Sequence, residues 1–221
     1  MLGTNGSISV RPTNKGVTLW GAGPNWRVAW PKDMTIIIDD HAQNLKLLLF
    51  VRQAWMVAQD VQVPALSPVA ATGTSKIPES ASREVWNERW KQQWNRSWAW
   101  FNVSTVQDAP LSQEEMRNLS RPGQDLHPIV PPFWTVEYGD EGLDLGAFNT
   151  WDRQTMPNFP SRSERDALPA LVEAWQDGLT TIIVLPYLGY FAHRLNGSHL
   201  VISAETRNDP KLYAEALQTG R

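Results

Sequence analysis

Aromatic residues recur every four positions in residues 83–101 of this chain. The tryptophans of this stretch are Trp86, Trp90, Trp94 and Trp98, and Phe101 follows them. At about 100° of rotation per residue in an α-helix, the four indoles spread over roughly 120° of one side. Polar and charged residues occupy the opposite side, and no Gly or Pro interrupts the run. The pattern therefore predicts an amphipathic helix with a broad aromatic face.

This aromatic face has two interpretations. Each Trp can bury about 150–250 Å² of surface, so a row of them can form the core of a small domain. Trp is also enriched among residues that dominate binding interfaces, so the face can instead contact a ligand. The two uses are compatible if one end of the helix is packed and the other is open. We favour core for the face as a whole, and we select Trp90, Trp94 and Trp98 as candidate ligand-binding residues.

A second helix is predicted from Asp39 or Asp40 to about Ala58. Its apolar residues are not confined to one side, which is typical of a helix that is buried on several sides. The acidic pair precedes His41, and this cluster could serve as metal ligands or as an acid–base group. A helix N-cap is the interpretation we favour, because Asp is a strong N-cap residue.

The stretch 60–82 has no hydrophobic periodicity and is rich in Pro, Ala and Ser. A loop of this length is uncommon inside a compact domain, and such loops are usually lids, binding loops or disordered connections. We expect a disordered connection, with a lid over the tryptophan helix as the alternative.

Further helices are indicated by capping residues. Ser112 with Glu115, and Ser161 with Glu164, are spaced as capping boxes, and Asp144 can cap a helix to about Gln154. The helix after Ser161 contains Pro169, so it either kinks there or truly begins just before that proline. A final helix follows the cap Asp209, with Pro210 at its first position.

The C-terminal part reads as strands. The run Thr180–Leu185 is β-branched and apolar, which is typical of a buried strand. Further along, Asn196-Gly197 separates two strand candidates, and this dipeptide is the strongest short hairpin signal.

A two-residue turn at this dipeptide would set the pairing of the hairpin. Arg194 would then lie opposite His199, and His193 would lie opposite Leu200 on the other face. We select Arg194 and His199 as candidate anion-binding residues on an exposed face, although an exposed sheet pair without a ligand is the simpler interpretation. His193 is expected to be a hydrogen-bonded core residue.

The segment 121–142 contains four prolines, which should keep it extended or turning. It also carries His127 and Glu137, together with Asp140 and Glu141. Ordered irregular segments often hold functional residues, so His127 and Glu137 join the candidate ligand-binding set. A solvated loop is the alternative.

Strands at both ends and helices between them predict an α+β fold. We expect one domain over residues 1–221, with a mainly antiparallel sheet built from the N- and C-terminal segments. The helical middle should pack on one face of that sheet.

Composition narrows the functional classes. The net charge of −3 does not resemble a basic nucleic-acid footprint, and no apolar run is long enough to span a membrane. The absence of Cys excludes thiolate metal ligands and a Cys nucleophile. No phosphate-binding, dinucleotide-binding or metalloprotease motif occurs, so no cofactor and no metal are expected. We expect a cytoplasmic protein.

Three hypotheses about function remain open. The leading one is a soluble, aromatic-rich binding protein whose site lies near the tryptophan helix, with a protein or a small molecule as its ligand. The second is a hydrolase-like enzyme that uses His and carboxylates from residues 125–141 and the C-terminal hairpin. The third is a carbohydrate-binding module. The sequence decides neither enzymatic activity nor oligomeric state.

Overall fold

The computed structural model describes residues 30–102, 131–156 and 162–220 with their side chains, and residues 8–9 and 103 as backbone. The chain divides into two compact units. We call Met1–His41 with Met156–Arg221 the sheet unit, and Ala42–Thr155 the helical unit. The mixed α+β class is confirmed, whereas the single domain stays a prediction. His127, the helix after Ser112 and most of the N-terminal strand candidates lie outside the described residues.

The described part of the helical unit consists of four helices and their connections. They are α1 (Gln43–Trp55), α2 (Arg83–Val103), α3 (Trp134–Tyr138) and α4 (Leu145–Thr155). The long tryptophan helix is confirmed as α2. By contrast, α3 is a short helix within the segment 121–142, which we expected to be extended or turning. The four prolines of that segment all precede α3, so residues 134–138 contain no proline and can form a helix.

The helix α1 is buried nearly all round, as predicted, but its start is not the predicted one. It begins at Gln43 after Ala42, whose side chain makes no cap hydrogen bond. The N-cap assignment of Asp39 or Asp40 is therefore wrong. Asp39 instead accepts a hydrogen bond from the backbone N–H of His41 at 3.1 Å, which turns the chain before the helix.

Two hydrogen bonds show that α1 and α2 run antiparallel. Near the start of α2, Arg83 donates to the carbonyl of Trp55 at 3.0 Å. Two turns later, the buried indole of Trp90 donates to the carbonyl of Leu48 at 2.7 Å. The partner position in α1 decreases as α2 advances, so the two helices lie side by side in opposite directions.

The loop 60–82 is tied to the helical unit by hydrogen bonds. The indoles of Trp86 and Trp151 donate to the carbonyls of Pro78 and Pro68, at 3.1 and 2.8 Å. The N–H of Thr74 donates to the carboxylate of Asp144 at 3.0 Å. The expectation of a disordered connection is wrong, because prolines remove backbone donors but leave carbonyls that indole N–H groups can bind.

The sheet unit holds a mixed sheet. Its strands are β1 (Ile8–Ser9), β2 (Ile37–Asp39), β3 (Thr181–Leu185), β4 (Ala192–Arg194) and β5 (His199–Ser203), in the order β1-β2-β3-β5-β4. The central strands β2, β3 and β5 are mutually parallel, and only β1 and β4 pair antiparallel. The mainly antiparallel description is thus only partly right. The apolar run of β3 fits a parallel strand buried on both faces.

Four short helices complete the described part of the sheet unit. They are α5 (Ser163–Asp166), α6 (Leu168–Gln176), α7 (Ala204–Asn208) and α8 (Pro210–Ala216). Pro169 stands in the first turn of α6, so the interpretation that a new helix begins there is confirmed. Asp209 caps α8 as predicted, accepting from Lys211 and Leu212. Apolar residues of α6 and α8 join those of β2, β3 and β5 in one buried core cluster.

The predicted hairpin register is wrong by one residue. Arg194 pairs with Leu200 and His193 with Val201, which leaves a loop of residues 196–198. The side chain of Asn196 accounts for the longer loop, because its Oδ1 accepts from the N–H groups of Ser198 and His199, both at 2.9 Å. The shift places His193 on the same face of the sheet as His199, because His193 now pairs with Val201. His199 is buried because the whole of β5 is buried, whereas His193 lies on the edge strand β4 and is exposed.

Asp144 should make the helical unit sensitive to acid. It accepts from the N–H groups of Thr74 and Ala147, and these hydrogen bonds hold the pKa of its carboxyl below the ordinary 3.8. A lowered folded-state pKa contributes stability above the unfolded-state pKa, and this is lost as pH falls through the folded-state value. The free energy of unfolding, measured in urea, should therefore fall less between about pH 6 and pH 2.5 in Asp144→Asn than in the unsubstituted chain. Equal losses would remove this role from Asp144.

Candidate functional site

The tryptophans of α2 differ in burial because their spacing does not match the helix. Four residues turn the helix by about 400°, so each successive Trp is rotated by roughly 40°. Trp86 and Trp90 are buried at 3% and 0% exposure, whereas Trp94 and Trp98 are half-buried. Positions 93 and 97 replace them on the buried side, and these hold Gln93 and Ser97. The predicted face is thus core at its first half and partly open at its second.

One side of α2 is covered by α3. The guanidinium of Arg89 lies 4.5 Å from the ring centre of Trp86 and 5.4 Å from that of Tyr138. Further along, Arg96 forms an ion pair with Glu137 at 3.2 Å, with both side chains nearly half exposed. Glu137, a predicted site residue, is therefore the partner of an arginine on α2.

On the other side of α2, the segment after α1 contacts the first half of the helix. Asn87 accepts from the N–H of Ala58 at 2.9 Å, and Lys91 pairs with Asp60 at 2.8 Å. The next positions on this side are Trp94 and Trp98, which we call the aromatic flank. The ring of Trp94 stacks on Trp90 at 5.1 Å between ring centres and meets Trp98 edge-on at 5.3 Å. The flank therefore continues the buried aromatic row outward.

The other two predicted site residues lie in the sheet unit. Arg194 donates from its guanidinium to the carbonyls of Asn196 and Gly197, at 2.9 and 2.6 Å. The Nδ1 atom of His199 lies 3.1 Å from Oδ1 of Asn196, and the side chain is 5% exposed. Burial, and secondarily the charge of Arg194, lowers the pKa of this imidazole. The two side chains support the hairpin loop, and the opposed pairing that suggested an anion site is absent.

A buried group of charges in the sheet unit was not selected from the sequence. Arg207 of α7 donates from Nε to Glu164 at 2.7 Å, and its Nη1 lies 3.6 Å from Asp40. Asp40 follows β2 and Arg207 follows β5, so both stand at the carboxyl edge of the parallel strands. The Asp39-Asp40-His41 triplet was the available signal, and we had interpreted it as a helix cap. We call Asp40, Glu164 and Arg207 the charge cluster.

Two further side chains adjoin the charge cluster. The Nε2 atom of His41 lies 3.4 Å from Asp40, with the imidazole about one-third exposed. Tyr213 is fully buried, and burial, with the charge of Glu164 next, raises the pKa of its phenol. The guanidinium of Arg207 thereby joins Asp40, which follows β2, to Glu164 of α5.

The described ranges contain neither a metal-ligand cluster nor a membrane-spanning helix. No group of three or more His, Asp or Glu side chains there is placed to hold a metal ion. None of the helices described is both long and apolar enough to cross a membrane.

Comparison with protein-family models, with curated proteins and with solved structures found no match for this chain. The candidate site is therefore defined by its own geometry, with the half-buried rings of Trp94 and Trp98 as its aromatic part.

Quenching of tryptophan fluorescence should divide the four indoles of α2 into two pairs. Replacing Trp86 or Trp90 with Phe removes a protected indole, so the mean acrylamide quenching constant should rise. Replacing Trp94 or Trp98 with Phe removes an accessible indole, so the mean quenching constant should fall. Trp151→Phe is the control, since this Trp is 1% exposed. If all four variants behave like Trp151→Phe, the flank is not open to solvent.

Removing Arg207 should destabilise the sheet unit strongly. The variant Arg207→Leu leaves Asp40 and Glu164 without their shared cation, which typically costs about 3–5 kcal/mol for a buried pair. Arg96→Leu is the control, because its ion pair with Glu137 is nearly half exposed and should contribute less than about 1 kcal/mol. Urea unfolding measures the loss of unfolding free energy in both variants. Similar losses in Arg207→Leu and Arg96→Leu would show that burial of the charge cluster has no energetic consequence.

Proposed function

We propose that this chain is a binding protein whose ligand contacts the aromatic flank of α2. The observation that carries the proposal is the partial exposure of Trp94 and Trp98, in continuity with the buried Trp90. Trp is a common hot-spot residue because one rigid ring supplies a large contact area. A flank supported from behind by a packed indole is already positioned, so little conformational entropy is lost on binding.

The surroundings of the flank support the same proposal. The opposite side of α2 is occupied by α3 through Arg89, Gln92 and Arg96. The first half of the near side is occupied by residues 58–60. Trp94 and Trp98 occupy the part of the helix surface between these contacts and its C-terminal end, where a ligand can reach two aromatic rings at once.

The two alternatives from the sequence have less support. The hydrolase hypothesis uses His and carboxylates of residues 125–141 and the hairpin, and one of these carboxylates, Glu137, is paired with Arg96. The carbohydrate hypothesis needs flat exposed rings, whereas the rings of Trp94 and Trp98 stand at 90° to each other. Cytoplasmic location, and the expectation of no nucleic-acid partner, stay predictions.

The proposal is tested by binding screens on the full chain. We would use a fragment library with ligand-observed NMR, a displayed-peptide library and a glycan array. Hits should weaken by roughly 30-fold or more in Trp98→Ala, which corresponds to a hot-spot loss of about 2 kcal/mol. Asn95→Ala is the matched control, because Asn95 is exposed and lies on another side of α2.

Circular dichroism of both variants confirms that they remain folded. The proposal is abandoned if every hit binds Trp98→Ala and Asn95→Ala equally well. Hits confined to the glycan array would favour the carbohydrate-binding alternative.

A further inference from the structure

Two polar side chains lie on the buried side of α2, where apolar residues are expected. Gln93 and Ser97 are both fully buried, and Asn44 of α1 is buried as well. The Gln93 Nε2, Ser97 Oγ and Asn44 Nδ2 atoms make no hydrogen bond with any residue that the structure describes. Most buried polar groups in proteins are hydrogen-bonded, so three such atoms in one helix pair require an explanation.

Helical geometry places the three residues at corresponding heights of α1 and α2. The rings of Trp55 and Trp86 meet at 5.1 Å and fix where the antiparallel helices face each other. Asn44 precedes Trp55 by 11 residues. It therefore lies about 16 Å away along α1, and it is rotated by only roughly 20° from the side of the helix that carries Trp55. Ser97 follows Trp86 by 11 residues, so it lies about 16 Å along α2 on the corresponding side. Gln93 lies one turn before Ser97, and we call these three residues the polar layer.

The polar layer adjoins the aromatic flank. Ser97 is next to Trp98 in the chain, and Trp94 lies between Gln93 and Ser97 on the neighbouring side of the helix. A molecule that reaches the polar layer from solvent on this side has to pass these half-buried rings. One ligand could therefore contact both features, with an apolar part on the rings and a polar part in the layer.

The unpartnered atoms offer hydrogen-bond donors. The amide nitrogens of Asn44 and Gln93 can only donate, and the hydroxyl of Ser97 can donate or accept. The Oε1 atom of Gln93 accepts from Arg96 at 3.4 Å, and its Nε2 atom has no hydrogen-bond partner among the described residues. The layer therefore suits an acceptor oxygen.

The charges around the layer indicate a neutral ligand. The buried Lys46 of α1 is paired with Asp152 at 3.0 Å, and Arg96 is paired with Glu137. A carboxylate in the layer would be desolvated while the nearby cations are already neutralised, and burying an uncompensated charge is costly. A neutral carbonyl oxygen avoids that cost.

We propose that the polar layer is the inner end of the binding site on the aromatic flank, and that its ligand is a neutral apolar molecule with a carbonyl-type oxygen. The inference rests on the proposed function, because the apolar part of the ligand lies against Trp94 and Trp98. It explains why polar residues are kept where apolar ones would stabilise the free protein.

A series of three probes of similar shape tests the ligand class. They are 4-phenyl-2-butanone, the apolar butylbenzene and the anionic 3-phenylpropionate, each titrated into the full chain by ligand-observed NMR. The ketone should bind about tenfold more tightly than butylbenzene, as expected for two hydrogen bonds of ordinary strength. It should also bind more tightly than the anion. Equal binding of the ketone and butylbenzene overturns the inference, and so does preference for the anion.

Variants then separate the layer from the flank. Gln93→Leu and Ser97→Ala should reduce the preference for the ketone over butylbenzene to near unity, with butylbenzene binding retained. Trp98→Ala should weaken both probes. If Trp98→Ala weakens both while Gln93→Leu leaves the ketone preference unchanged, the flank proposal stands and the layer inference fails. If no probe binds, the layer inference fails, and the binding screens decide the flank proposal by themselves.

Thermal unfolding provides a readout that does not depend on any ligand. Gln93→Leu should raise the Tm of the ligand-free protein, since it removes a buried amide whose nitrogen has no partner. A lower Tm would show that the amide is satisfied in the free protein, for example by an internal water, and would overturn the inference. Leu48→Ala is the control for loss of packing in the same helix pair, and its Tm should fall.

Discussion

The hydrogen bond from the indole of Trp90 to the carbonyl of Leu48 sets the arrangement of the helical unit. At 2.7 Å, and with Trp90 fully buried, it fixes how far α2 is displaced along α1. Because α1 is antiparallel to α2, this displacement is consistent with the contact of Trp55 and Trp86 at one end, and ideal helix geometry places Asn44 and Ser97 at corresponding heights towards the other. The burial of each Trp in α2 depends in addition on the four-residue spacing.

Much of the local structure could be predicted from the sequence. The helix α2, the buried strand β3, the cap at Asp209 and the break at Pro169 each have a local physical cause, so a few neighbouring residues suffice. The sheet order has no such cause. An apolar run like β3 shows burial, yet it does not show whether its neighbours run parallel. The hairpin register depended on the side chain of Asn196, which competes with the tight turn by bonding two backbone amides.

The binding role of the candidate site stays a prediction. The stretch with Trp94 and Trp98 was selected because Trp is enriched in binding interfaces, and the half-burial of these rings follows from a spacing that exceeds the helical period. The burial of Gln93 and Ser97 was missed because they stand among polar neighbours in the sequence, and only the rotation of the stripe reveals that they are buried. Asp40 was misassigned because an acidic residue before a helix resembles a cap, whereas its partner Arg207 lies far along the chain.

Because the tryptophans of α2 are four residues apart, the burial of each indole depends on its place in the row. The first two indoles of the row, Trp86 and Trp90, are buried, and the next two, Trp94 and Trp98, are half-buried. The fourth step from Trp86 falls at Asn102, which is exposed and polar. The stripe thus ends where a further Trp would point into water. Inserting one residue before Trp94 would turn the later rings by about 100° and bring Trp94 and Trp98 to the exposed positions that Asn95 and Ala99 now occupy.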